Sequence, residues 1–248
     1  MKKIFDKFDN ESLLGFRDAV ASAVRESSPH FSGDLSEVHR FISQDQVNAV
    51  RLSGFMKLNT VVPWEKMVLS LCEDELRYEL GSDILVQSKI NISIQMPHDK
   101  SSILPSHSDS WSAETPFQLN IWIPLTDAFD TNAMFLLGPE ASLEAMLRIA
   151  NQDQKRSFDV SSITAAPSDF VNMKFGQVLL FNPAALHGNV ENLTTKTRVS
   201  LNLRVKSMFA PEPSDRNPDR RYGTFYKSLL ISENTKFALD FLKTGILS

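Results

Sequence analysis

The chain has 248 residues, of which 42% are hydrophobic and 23% are charged, and its formal net charge is −4 at pH 7. This composition is typical of a folded protein with a sizeable core, and the length fits one large domain. The negative net charge provides no basic surface field for binding nucleic acid. Cys72 is the only cysteine, which excludes an internal disulfide and any cysteine-rich metal site.

The sequence contains no recognisable targeting or membrane segment. Residues 1–14 include basic side chains but lack the apolar stretch that secretory signals carry. No run approaches the roughly 18 apolar residues that a membrane-spanning helix needs. We therefore expect a cytoplasmic protein that binds neither membranes nor nucleic acid. The sequence does not indicate its oligomeric state.

Helical patterns dominate the first third of the chain. Residues 10–25 carry apolar side chains at helical spacing, and Asn10 or Ser12 is a suitable cap. Pro63 introduces a second helical pattern, which Gly81 is expected to end. Residues 28–60 show only short apolar patches and are predicted to be irregular.

From residue 84 onward the apolar period changes to two, which predicts strands with one apolar and one polar face. The predicted strands cover residues 88–96, 117–125, 133–137, 177–182 and 197–205. A helix is predicted over 140–150, polar loops over 151–169 and 211–223, and a final helix over roughly 224–243.

This order of elements predicts a mainly β protein with flanking helices, built as a double-stranded β-helix (a cupin-like jelly roll). We expect one domain in three parts. Residues 1–83 form a mostly helical buttress, residues 84–209 form the jelly-roll core, and residues 210–248 form a loop and a C-terminal helix. The polar faces of the central strands are expected to line a pocket inside the fold.

His107, Asp109 and His187 are candidate metal ligands. His107 and Asp109 are two residues apart on a segment predicted to be extended, so both side chains point to the same side. His187 follows a predicted strand much later in the chain. Two imidazoles and one carboxylate can occupy one face of an octahedral Fe(II) and leave three positions open. An isolated His-x-Asp in a serine-rich loop has a simpler alternative, a solvated turn.

Arg198 is a candidate anion-binding residue near this metal site. It follows His187 by 11 residues (198 − 187 = 11) and opens a predicted strand. Its guanidinium offers paired donors that match a carboxylate, and Ser200 shares the same strand face. An exposed strand arginine is the alternative interpretation.

With these motifs the chain resembles the Fe(II)/2-oxoglutarate-dependent oxygenases, in particular their phytanoyl-CoA hydroxylase-like branch. The resemblance depends on His107-Ser108-Asp109 and on HGNVENLTTKTR, which runs from His187 to Arg198. It covers about residues 84–209. HSDSWSAETPFQLNIWIPLTD also resembles oxygenases of bacterial carbohydrate and aminoglycoside gene clusters. Gln177 stands where many relatives carry an acidic residue.

The resemblance implies a 2-oxoglutarate-dependent dioxygenase in which His107, Asp109 and His187 bind Fe(II). It also implies that Arg198 and Ser200 bind the distal carboxylate of 2-oxoglutarate. The expected reaction is hydroxylation by O₂ of a small polar metabolite, such as a sugar, nucleotide sugar or antibiotic precursor, with release of succinate and CO₂. A cupin-like metal enzyme that does not use 2-oxoglutarate is the alternative, and a non-catalytic binding protein is a third possibility.

Strand parity and position add further candidates, each with a purely structural role as the alternative. Those expected to contact the cosubstrate are Gln95 and Asn120. Those expected to contact the substrate are Trp111, Trp122, Arg204 and Arg221, the last as part of a charged lid with Arg216 and Arg220.

Overall fold

The structure is a computed structural model that describes residues 2–112, 114–150, 166–211 and 221–245. The helices are α1 (Glu11–Ser27), α2 (Val47–Thr60), α3 (Trp64–Leu80), α4 (Pro139–Ala150) and α5 (Glu233–Leu242). The strands are β1 (Lys2–Asp6), β2 (Ile84–Gln87), β3 (Asn91–Gln95), β4 (Gln118–Pro124), β5 (Phe135–Leu136), β6 (Gln177–Phe181), β7 (His187–Gly188), β8 (Arg198–Ser207) and β9 (Tyr226–Leu230).

Two antiparallel sheets form the centre of the described structure. Seven strands make the large sheet, in the order β1-β6-β4-β8-β2-β9, with β3 also paired to β8. β5 and β7 make a two-stranded sheet. The small sheet packs against the large one through an apolar cluster that joins Trp122 and Leu179 to Met134 and Leu136. This arrangement confirms the predicted jelly roll.

The N-terminal helices cover one face of the large sheet. The main apolar core joins Val20 of α1 and Leu71 of α3 to Ile121 of β4 and Leu203 of β8. Because strand side chains alternate between faces, the polar residues of the same strands lie on the opposite face. The organisation of the whole chain as a single domain stays a prediction.

The predictions for α1 and α3 are confirmed. Asn10 caps α1, since its side-chain oxygen accepts a hydrogen bond from the backbone N–H of Ser12 at 2.9 Å. α3 begins directly after Pro63 and ends before Gly81, whose φ of 89° suits a glycine. None of the helices among the described residues is long and apolar enough to cross a bilayer.

The prediction of irregular structure over residues 28–60 is wrong. This stretch contains α2 and two short 3-10 helices, Leu35–Arg40 and Gln44–Gln46. The buried positions of α2 follow helical spacing and are Val47, Val50, Gly54 and Leu58. Because one of the four is a glycine, the apolar stripe in the sequence is weak.

The predicted final helix over residues 224–243 is also wrong in its first half. β9 occupies the start of this range and pairs with β2, and α5 begins only at Glu233. β1, which pairs with β6, was not predicted either. Both strands lie at the edges of the sheet, where few positions are fully buried and the alternating pattern is faint. The predicted loops over 151–169 and 211–223 fall largely outside the described residues.

Candidate active site

His107 and His187 face each other across a short antiparallel bridge. The backbone N–H of each donates to the carbonyl oxygen of the other at 2.9 Å, and the ring centroids are 4.3 Å apart. The Nδ1 atoms lie 2.9 Å from the carbonyl oxygens of Pro105 and Ala185. These contacts assign the ring protons to Nδ1, which leaves both Nε2 atoms as the available metal donors.

Gly188 allows the two histidine-bearing segments to lie this close. A Cβ atom at this position would lie 2.6 Å from the carbonyl oxygen of Leu104 and 2.9 Å from that of Pro105. Any other residue at this position would push β7 away from the segment that carries His107.

Asp109 completes a His-Asp-His group. Its backbone N–H donates to the carbonyl oxygen of Pro183 at 3.0 Å, which ties the start of a 3-10 helix to the segment before His187. One donor atom from each of His107, Asp109 and His187 lies within 4.8 Å of the others. The predicted convergence is therefore confirmed, and within the described ranges no other such group of three occurs.

The pKa shifts of His187 and Asp109 suit a divalent metal. Burial, reinforced by the neighbouring His107, lowers the pKa of His187 to about 4, so its ring is neutral at physiological pH. Burial alone would raise the pKa of Asp109, but the hydrogen bonds and charge of Arg204 outweigh it and lower that pKa. One carboxylate and two imidazoles form a donor set that suits Fe(II).

Arg198 lies on the face of the large sheet opposite α1 and α3, which we call the inner face. Four neutral acceptors hold its guanidinium. The strand register sets Gln95 opposite Arg198 and Ser93 opposite Ser200. Nε donates to the carbonyl oxygen of Asn132 at 3.0 Å, Nη1 to the hydroxyls of Ser93 and Ser200 at 3.0 and 2.7 Å, and Nη2 to Oε1 of Gln95 at 2.8 Å.

The charge of Arg198 has no protein counter-ion in the part of the chain that the structure describes. The residue is only 3% exposed. Burial lowers its pKa to about 10, so the guanidinium remains positive at neutral pH. A buried cation that lacks a counter-ion is unfavourable, and its planar fork fits a carboxylate. The site therefore favours a bound anion.

The His-Asp-His group and Arg198 line one cavity of about 540 Å³. Its wall on the large sheet is the polar face of β3, β4 and β8, with Asn91, Ser93, Asn120, Trp122, Ser200, Asn202 and Arg204. The opposite rim includes Arg51, Leu52 and Phe55 of α2. This rim was missed because α2 itself was not predicted.

Gln95, Asn120 and Arg204 lie beside the predicted ligands. Gln95 accepts a hydrogen bond from Arg198 and donates to the carbonyl oxygen of Val190. The Nδ2 atom of Asn120 donates to Oδ2 of Asp109 at 3.0 Å. Arg204 lines the cavity, but its guanidinium pairs with Asp109, at 3.0 Å from Nε and 2.9 Å from Nη2. These side chains thus orient the residues predicted to bind iron and cosubstrate.

Of the other three substrate candidates, only Trp122 lines the cavity. Trp122 is buried in the cavity wall. Trp111 is 38% exposed, contacts the sulfur of Met146 through Nε1 at 3.2 Å, and is not among the lining residues. Arg221 is exposed and does not line the cavity either. Roles for Trp111 and Arg221 in substrate binding stay predictions, and Arg216 and Arg220 lie outside the described residues.

Two contacts of Arg198 were missed from the sequence. Ser93 has the same strand parity as Gln95, and the register with β8 would have identified it once the pairing was known. Asn132 contributes only its backbone carbonyl, for which the sequence carries no signal.

Comparison with known proteins places the chain in a family. The family model described as phytanoyl-CoA dioxygenase (PhyH) matches residues 21–200. The streptomycin biosynthesis protein StrG of Streptomyces griseus is 26% identical over 111 residues. That match spans 44% of this chain and only 41% of StrG.

Two solved structures resemble this chain at lower sequence identity than StrG does. SnoN, a non-heme alpha ketoglutarate dependent epimerase from nogalamycin biosynthesis, aligns with 94% of this chain and 91% of its own at 13% identity and a TM-score of 0.48. EctD from S. alaskensis, solved with 2-oxoglutarate and 5-hydroxyectoine, aligns over 85% and 73% at 13% identity and a TM-score of 0.47. Similarity at this level carries no information on the reaction. The family match, by contrast, spans well over half of the sequence. The chain belongs to the phytanoyl-CoA dioxygenase family.

Proposed function

We propose that this protein is an Fe(II)- and 2-oxoglutarate-dependent oxygenase that hydroxylates a small polar metabolite and releases succinate and CO₂. One observation carries the proposal: the His-Asp-His group shares a cavity with a buried arginine that has no counter-ion among the described residues. Family membership argues against the alternative of a cupin-like metal enzyme that does not use 2-oxoglutarate.

In this proposal His107, Asp109 and His187 bind Fe(II). The Nε2 atoms of both rings are available, because each Nδ1 contacts a backbone carbonyl. When bound, Fe(II) with 2-oxoglutarate supplies the O₂-dependent oxidation of a C–H bond, coupled to conversion of the 2-oxo acid to succinate and CO₂. The triad would hold the metal at the cavity wall, where the cosubstrate and O₂ could also reach it.

Arg198 and Ser200 bind the distal carboxylate of 2-oxoglutarate in the same proposal. Hydroxyl groups rotate freely, so Ser200 and Ser93 can turn from accepting the Arg198 protons to donating to a carboxylate. Hydrogen bonds between a guanidinium and a carboxylate are about twice as strong as neutral ones. The bound anion thereby offsets the unfavourable burial of Arg198. Gln95 orients the guanidinium from behind.

The remaining cavity supports a small, polar substrate. A volume of about 540 Å³ lies within the roughly 300–1,000 Å³ of typical small-molecule sites. Beyond the iron and cosubstrate residues, its wall offers the amides of Asn91 and Asn202 and the apolar surface of Phe55 and Trp122. Amides both donate to and accept from hydroxyl groups, which suits sugars and nucleotide sugars. The partial match to a streptomycin biosynthesis protein supports an antibiotic precursor as a further candidate.

Succinate formation tests the proposal. The purified protein is incubated with Fe(II), O₂ and 2-oxoglutarate, with separate sets of sugars, nucleotide sugars and aminoglycoside precursors. We expect one set to raise the succinate rate above the substrate-free rate, with one hydroxylated product formed for each succinate. His187→Ala serves as the inactive control. If apolar acyl substrates alone raise the rate, the proposed substrate class is wrong.

A further inference from the structure

Three donor atoms surround the carboxylate of Asp109, two at one oxygen and one at the other. Oδ2 accepts from Nδ2 of Asn120 and from Nε of Arg204, both at 3.0 Å. Oδ1 accepts from Nη2 of Arg204 at 2.9 Å and lies 3.8 Å from Nε2 of His107.

This count leaves one place for a metal. A carboxylate offers about four lone-pair sites, two on each oxygen. Asn120 and Arg204 occupy both sites of Oδ2 and one site of Oδ1. The remaining site belongs to Oδ1, the oxygen that the structure places near the His107 imidazole.

We propose that Arg204, assisted by Asn120, is a positioning residue that makes Asp109 bind iron through Oδ1 alone. The inference depends on the proposed iron and 2-oxoglutarate site. An octahedral metal that binds two histidines and one carboxylate oxygen keeps three free positions. A cosubstrate chelate requires two of these and O₂ requires the third. If both oxygens of Asp109 bound the metal, only two positions would remain, and cosubstrate and O₂ would compete.

The fold holds Arg204 firmly in this role. The register of β4 and β8 sets Asn120 opposite Arg204, so both side chains reach the same carboxylate from neighbouring strands. Glu114 lies behind the guanidinium, with Oε1 3.8 Å from Nε. A lysine would supply the charge without the two-pronged geometry.

The test compares Arg204→Met and Arg204→Lys with wild type by X-ray absorption of the Co(II)-loaded proteins and by 2-oxoglutarate titration. A carboxylate that binds through both oxygens brings its carbon closer to the metal, which the spectrum detects. We expect single-oxygen binding in wild type and two-oxygen binding in both variants. Affinity for 2-oxoglutarate should fall by about 10- to 100-fold, the range typical when a residue supporting a metal ligand is lost. Co(II) itself should still bind.

Controls separate this role from others. Arg51→Met removes another cavity cation, one whose Nη2 donates to Asn48, and should leave the spectrum unchanged. Asn120→Ala removes one donor to Oδ2 and should shift the spectrum in the same direction by less. Two-oxygen binding in wild type, or a wild-type spectrum in both Arg204 variants, would overturn the inference. Failure of wild type to bind 2-oxoglutarate would instead contradict the proposed function.

Discussion

Both faces of the large sheet bury side chains, but the two faces are chemically opposite. On the outer face, Ile121 and Leu203 are at most 1% exposed and pack against the helices. On the inner face, Asn120 and Arg198 are 4% and 3% exposed and make hydrogen bonds instead. Burial alone therefore does not distinguish core from site in this protein. The partners of each buried side chain do.

The comparison also separates stability from function. Apolar burial on the outer face stabilises the fold by roughly 25 cal/mol per Å². The inner face holds a buried cation whose partners among the described residues are neutral, an arrangement that favours ligand binding rather than folding. Substitutions on the two faces should therefore affect different measurements.

The largest effect should come from His187→Ala. Loss of a metal donor should weaken Fe(II) binding by more than the roughly 10–100-fold expected for a residue that only supports a ligand. Calorimetric titration with Fe(II) under anaerobic conditions measures this. His98→Ala changes an exposed histidine outside the cavity and should bind Fe(II) like wild type. Equal losses in both variants would contradict the assignment of His187.

Arg198→Met should come next, and it tests the inner face directly. Removal of a buried charged partner typically costs about 2–5 kcal/mol, so affinity for 2-oxoglutarate should fall by about 30-fold or more. At a concentration 100 times the wild-type Kd, the ligand should stabilise wild type by about 2.7 kcal/mol and the variant by less than about 1 kcal/mol. Ligand-dependent thermal unfolding measures the difference. Similar shifts in both proteins would show that the anion binds elsewhere.

Leu203→Ala tests the outer face. The cavity left by this core residue should lower the free energy of unfolding by about 2–5 kcal/mol. Affinity of the folded protein for 2-oxoglutarate should stay within about twofold of wild type, since a shift that small is under 0.5 kcal/mol. Leu147→Ala, at an exposed position of α4, should change stability by no more than about 0.5 kcal/mol. A selective loss of cosubstrate affinity in Leu203→Ala would contradict the assignment of stability to the outer face and ligand binding to the inner face.

Ser200→Ala should have the smallest effect. One hydrogen bond contributes about 0.5–1.5 kcal/mol, so 2-oxoglutarate should bind about 2- to 12-fold more weakly. Ser207→Ala, at the far end of β8, provides the matched control. An unchanged affinity in Ser200→Ala would remove Ser200 from the cosubstrate site.

Strand parity was enough to predict much of this inner face. It assigned Gln95, Asn120 and Arg198 to one polar surface because side-chain direction follows from residue spacing alone. It did not identify Asp109 as the partner of Arg204, since that contact depends on where the 3-10 helix that starts at Asp109 packs against β8. The α2 rim was missed for another reason. Gly54 interrupts its apolar stripe, and the packing that makes this helix form is visible only in three dimensions.

An anaerobic titration of the Fe(II)-loaded protein with 2-oxoglutarate tests most directly whether iron and 2-oxoglutarate bind at one site. The 2-oxo acid bound to Fe(II) gives a weak visible charge-transfer band. We expect this band to appear in wild type, to saturate at one 2-oxoglutarate per chain, and to be strongly reduced in Arg198→Met at the same concentration. Protein that binds iron but develops no band on addition of 2-oxoglutarate would contradict the account.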